Sequence, residues 1–129
     1  MKKIKLALVL LPLAAAACSK PAGTPAGPRL KIALIAKSST NPVFLSARAG
    51  AEAAARELAE KHKVGIEVVW LTPPQEDGQI QAQRIAQAVN EGASAILLSC
   101  SDAGKLTGAI NDAVAREVPV MTFDSDAPD

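Results

Sequence analysis

Aromatic residues are almost missing from this 129-residue chain. Phe44, Trp70 and Phe123 are all it has, and there is no tyrosine. A core must therefore come from Ala, Val, Ile and Leu, and a base-stacking sheet is excluded. There are only two cysteines, too few for a disulfide-rich scaffold. Histidine occurs once, at His62. Neither sign of charge dominates: Lys+Arg 14 against Asp+Glu 13 gives +1. A nucleic-acid binder would show a basic excess, so none is expected as a partner. With 49% apolar residues the chain is no disordered tail either. Sequence signatures of common chemistry are absent as well. No Gly-x-Gly-x-x-Gly, no Gly-Lys-Ser/Thr phosphate loop and no Gly-x-Ser-x-Gly elbow occurs. No cofactor is expected.

What is present begins with an address. Lys2, Lys3 and Lys5 lead an apolar stretch that runs from Ile4 to Ala17, interrupted by Lys5 and Pro12. A basic start, a short apolar run and a small-residue end read as a signal peptide over residues 1–17. The run is shorter than the roughly 20 residues a spanning helix needs. Leu13 to Cys18 resembles a bacterial lipoprotein signal, which implies lipidation at Cys18; ordinary cleavage in the alanine run is the alternative. Residues 18–28 then read as a flexible tether, with Pro21, Pro25, Pro28, Gly23 and Gly27 and no large apolar side chain. Removing the three lysines leaves 11 basic against 13 acidic residues, a charge of −2. Cys100 is then an unpaired thiol, expected to be a small buried residue at a strand end.

Four short apolar runs alternate with three helical stripes from residue 29 onward. Strands are expected at 29–36, 66–71, 93–99 and 118–123. Asn41-Pro42 opens the first helix as N-cap and first helical residue. Its stripe is Ala47, Gly50, Ala51, Ala54, Leu58 and Ala59, and it should end near His62-Lys63. The second helix is expected from about Glu76 to Glu91, with Ala82, Ile85, Ala86 and Val89 inward and Gly92 as C-terminal cap. The third follows a cap at Ser101 or Asp102, with Leu106, Ala109, Ile110 and Ala113 inward. The order β-α-β-α-β-α-β predicts an α/β fold: an open parallel sheet with helices on both faces. One flank of the sheet is expected to be bare.

Ligands of open parallel sheets bind outside the carboxyl ends of the strands. The loops there contain Lys37, Ser38, Ser39, Thr40 and Asn41, then Ser99 to Asp102, then Asp124, Ser125 and Asp126. Hydroxyls, an amide, carboxylates and an ammonium suit a neutral, hydroxyl-rich ligand. Free N–H groups at the helix starts would add donors. Asn41 can equally be only a cap, and Asp124 only a turn residue. Phe44 stands one turn into the first helix and can face the site or the core. Asp124 and Asp126 are two apart, but with no histidine or further carboxylate near them no metal site is expected.

Three stretches carry a resemblance: Lys31 to Phe44 (KIALIAKSSTNPVF), Gly92 to Leu98 (GASAILL) and Val118 to Pro128 (VPVMTFDSDAP). With the helix around Gly50-Ala51-Glu52, this set is similar to the ribose-binding-like, type I periplasmic solute-binding proteins of ABC transporters. The resemblance implies a Rossmann-like lobe, with residues 29–129 as the first part of the N-terminal ligand-binding lobe. It implies a sugar or sugar-like ligand, an ABC permease as partner, a location in the periplasm or at the cell surface, a membrane hold through the lipid anchor, and no enzymatic activity. Carried over by position, it implies that Asn41 contacts the sugar, Phe44 covers a ring face, and Asp124 takes paired hydroxyls. Val43 stands where ribose-type members carry a second aromatic, and Ser125 where they carry arginine. Lys37 with Asp124-Ser125-Asp126 is nearer the rhamnose and autoinducer-2 branch, which implies ligand contacts from Lys37, Ser125 and Asp126. An exported α/β enzyme, hydrolytic or sugar-modifying, with its catalytic residues elsewhere, is the alternative function.

Overall fold

The computed structural model describes residues 27–127. The expected signal peptide, Cys18 and all but the last two residues of the tether lie outside the described residues. The elements are β1 (Arg29–Ile35), α1 (Pro42–His62), β2 (Gly65–Trp70), α2 (Gly78–Asn90), β3 (Ala95–Leu98), α3 (Ala103–Ala115) and β4 (Val120–Thr122). The strands form one parallel sheet in the order β2-β1-β3-β4.

Local chemistry sets the boundaries. Asn41 Oδ1 accepts from the Val43 amide and Pro42 takes the first helical position, so α1 starts where the Asn-Pro pair requires. Asp77 accepts from the amides of Gln79 and Ile80, which starts α2 slightly later than its periodicity implied. Asp102, not Ser101, caps α3. Gly92 sits at φ 74 just past α2, a conformation glycine adopts without strain. Lys63 takes the same left-handed geometry (φ 56) after α1. β3 and β4 are shorter than expected. Ala93 and Val118 return their amides to Ala88 and Ala113, closing the preceding helices instead of extending the strands.

Alternation along the strands divides the core. Ala33 and Ile35 of β1 and Ile96 and Leu98 of β3 face α2 and α3, where they pack with Ile85, Ala88, Val89, Leu106 and Ala113. Leu34, Ile32 and Leu97 face α1. Helices thus cover both faces, one helix on one side and two on the other. The lone helix covers its face incompletely. An apolar groove of about 300 Å³ runs beside α1, lined by residues such as Ile32, Ala54, Leu58 and Leu97. The α1 stripe is accordingly half open: only Phe44 and Ala55 are buried, and Leu58 is 42% exposed. Ala86, expected inward on α2, is exposed, and Ala88 takes the core place instead. Cys100 is buried as expected, and Trp70 stands half-buried at the rim with the Arg48 guanidinium 5.4 Å from its ring centre. His62 is exposed.

Candidate functional site

The sheet order makes β1 a neighbour of both β2 and β3. The chain builds from β1 toward one edge, then returns and builds toward the other. The switch point therefore lies at the carboxyl ends of β1 and β3, where a crevice opens in sheets of this kind. The loops after β1, β3 and β4 meet there, and their contacts are explicit.

Lys37 leaves the end of β1 and reaches across β3 to the loop after β4. Its Nζ donates to the Ser125 hydroxyl and stands 3.4 Å from Asp124 Oδ2. Ser125 in turn donates to Asp124 Oδ2 at 3.2 Å. From beneath, the fully buried Ser99 hydroxyl donates to the same oxygen at 2.9 Å. Asp124 occupies the left-handed region at φ 61, which aspartate tolerates better than most side chains. The Ser99 hydroxyl first, then Ser125 and Lys37, hold its carboxyl below the usual carboxylate range, against the opposing effect of partial desolvation. All three contacts fall on Oδ2. Among the described residues no hydrogen bond reaches Oδ1, so one oxygen of an oriented carboxylate is left without a partner there.

The other sequence candidates divide. Asn41 is exposed and commits Oδ1 to its helix, while its Nδ2 hydrogens meet no acceptor among the described residues. The expected spare donors at the start of α1 are absent. Val43 bonds Asn41 Oδ1, Phe44 and Leu45 bond the Asn41 carbonyl, and Pro42 has no N–H. Phe44 is 5% exposed and packs inward from α1. Asp126 stays out of the Lys37–Asp124 cluster. Its Oδ1 accepts from the Thr122 hydroxyl at 2.9 Å and the Ala127 amide at 2.8 Å, shaping the loop after β4. Asp102 pairs with Lys105, whose ammonium holds that carboxyl low. Burial pushes the Cys100 thiol up, and its amide ties β3 to the Ser125 carbonyl. Among the described residues no group of three potential ligands could hold a metal ion.

Three residues escaped the sequence reading. Ser99 was one polar residue in a polar loop, with nothing to show that it lies under Asp124. Thr72 follows β2 and is buried; its hydroxyl accepts from the Ala36 amide at 2.7 Å, fixing the exit of β1. Gln81 on α2 is wholly buried. Its spacing to Ile85, Ala88 and Val89 was the available signal.

A family model described as a periplasmic binding protein domain matches residues 32–129. The ribose import binding protein RbsB of Bacillus subtilis (strain 168) is 28% identical over 109 residues, covering 84% of this chain and 33% of that protein. Among solved structures, LsrB from Clostridium saccharobutylicum in complex with AI-2 is similar at 29% identity and TM-score 0.63, over 75% of this chain and 28% of that one. AraP, an arabinose binding protein from Geobacillus stearothermophilus, is similar at 28% identity and TM-score 0.64, over 78% of this chain and 32% of that one. The chain spans about a third of the length of these relatives. Because the family match extends from within β1 through the loop after β4, it takes in every segment that shapes the crevice, and the chain belongs to the periplasmic binding protein family.

Proposed function

We propose that this chain supplies one wall of a sugar-binding cleft in a solute receptor that feeds an ABC permease. The observation that carries the reading is the Asp124 carboxylate, oriented through Oδ2 by Ser99, Ser125 and Lys37, with no partner at Oδ1 among the described residues. A carboxylate held in that way accepts hydroxyl protons without reorganising, and the nearby ammonium donates. Asn41 adds an amide donor from the β1 loop, Ser125 and Asp126 line the β4 loop, and Phe44, packed inward, backs the start of α1. The named ligands of the relatives, ribose, AI-2 and arabinose, are small and rich in oxygen. Lys37 with Asp124-Ser125-Asp126 favours a ligand of the rhamnose or autoinducer-2 kind. The protein binds without covalent chemistry, and closure of a second lobe over the ligand makes the form that docks on the permease.

Residues 1–17 act as the export signal. Cys18 takes the lipid that holds the domain at the membrane, and residues 18–28 space it from the surface; stable retention needs more than one acyl chain. Radiolabelled palmitate incorporated by the wild type and not by Cys18→Ala supports the anchor; equal labelling of both refutes it.

Calorimetric titration of the full-length protein with D-ribose, D-arabinose, D-allose, D-tagatose and AI-2 tests the binding reading. At least one should bind, and Asp124→Ala should weaken it by at least tenfold. Binding of none, or an unchanged affinity in Asp124→Ala, refutes it.

A further inference from the structure

Gln81 lies in the first turn of α2 with no exposed surface. Its Nε2 donates to the carbonyls of Ala36 and Ser99, each at 2.9 Å. Its Oε1 accepts from the Ser101 amide at 3.0 Å and from the Ser101 hydroxyl. A side-chain amide offers two donor hydrogens and two acceptor lone pairs, and this one uses all of them. The network also fixes which way the amide points, since a flip would set its oxygen against two carbonyls. The partners follow different strands: Ala36 comes directly after β1 and precedes Lys37, whereas Ser99 comes directly after β3 and holds Asp124 through its own hydroxyl. One buried amide therefore clamps the two strand ends that form the switch point.

We propose that Gln81 is a positioning residue for ligand capture: without touching the ligand, it fixes the ends of β1 and β3 and thereby the placement of Lys37 and Asp124 at the crevice. The functional sense of this role rests on the sugar-binding reading above, but its structural consequence does not. A residue that merely filled the core would be replaceable by methionine, which has similar size and bends to fit. The loss of four hydrogen bonds would then lower stability and leave the Asp124 carboxylate as it was. A positioning residue does more: when the Ser99 backbone shifts, the Ser99 hydroxyl no longer meets Asp124 Oδ2 squarely.

The test is a carbon-13 NMR titration of the Asp124 carboxyl in the full-length protein, run on wild type, Gln81→Met, Ser99→Ala and the double variant. Asp124 should titrate higher in Gln81→Met, as in Ser99→Ala, and the double variant should rise by less than the sum of the two single variants. Unchanged titration in a folded Gln81→Met overturns the proposal, as does a fully additive double variant. Should Gln81→Met not fold, Ser101→Ala removes a single donor from the Gln81 oxygen and should raise the Asp124 titration by a smaller amount; no rise overturns the proposal. Affinity for the same sugar panel provides the second readout. Gln81→Met should lose about tenfold, the equivalent of one net hydrogen bond. If the wild type binds none of the probes, the sugar reading fails while the carboxyl titration still decides the role of Gln81. If Asp124→Ala loses affinity and a folded Gln81→Met does not, Gln81 fails and the sugar reading stands.

Discussion

Thr72 offers a prediction in which the structure dictates the sign. Its hydroxyl is the acceptor for the amide of Ala36, a residue with no exposed surface, at 2.7 Å. The same hydroxyl donates weakly, at 3.4 Å, to the Leu34 carbonyl, which keeps a backbone bond from Leu71. Thr72→Val has nearly the same shape and removes only the oxygen. It leaves the buried Ala36 N–H without an acceptor, at a cost of about 1–3 kcal/mol. The added methyl recovers at most about 0.8 kcal/mol, so the net loss is about 0.2–2 kcal/mol, centred on about 1 kcal/mol. Thr72→Ser keeps the hydroxyl and loses a methyl of the same roughly 0.8 kcal/mol, part of it already in solvent. Urea unfolding of the full-length protein should therefore rank wild type above Thr72→Ser and Thr72→Ser above Thr72→Val. If Thr72→Val is as stable as wild type, or Thr72→Ser falls below it, the hydroxyl does not hold the exit of β1. Because Ala36 precedes Lys37, Thr72→Val should also weaken sugar binding, and Thr72→Ser should not.

Gly92→Ala forces an L-residue to φ 74 and should destabilise by about 1 kcal/mol in thermal melts, whereas Lys63→Gly relieves φ 56 and should stabilise by up to about 1 kcal/mol. Cys100, buried and with its thiol pushed up, should resist aromatic disulfide reagents in the native protein and react at once in denaturant; fast native labelling would contradict its packing. Asp124 is held below the usual carboxylate range. Its contribution to binding and folding is present above the unfolded-state value and is lost as pH falls through the lower native one. Sugar affinity should stay flat across the ordinary carboxylate range in the wild type and fall there in Ser99→Ala, as pH-stepped calorimetry would show.

The sequence made the architecture readable because its signals were local. Apolar runs of strand length, the Asn41-Pro42 start and Gly92 all act within a few residues, and the alternation they produce admits one kind of sheet. The lysine and aspartate of the crevice were readable too, because polar side chains just past strand ends have one place to go. What stayed hidden was the support beneath them. Ser99, Thr72 and Gln81 owe their roles to partners 25, 36 and 45 residues away. Polarity alone does not show that such residues are buried. The α1 stripe failed for a related reason: Gly50, Ala54 and Leu58 share a helical face, but no described element covers the part of the groove that face overlooks.

A crystal structure of the full-length protein with a bound sugar from the panel tests the central claim most directly. The account predicts ring hydroxyls within hydrogen-bond distance of Asp124 Oδ1 and the Lys37 ammonium, with Ser99 still bonded to Oδ2. A sugar seated away from the ends of β1 and β3, with Asp124 and Lys37 facing only solvent, would contradict it.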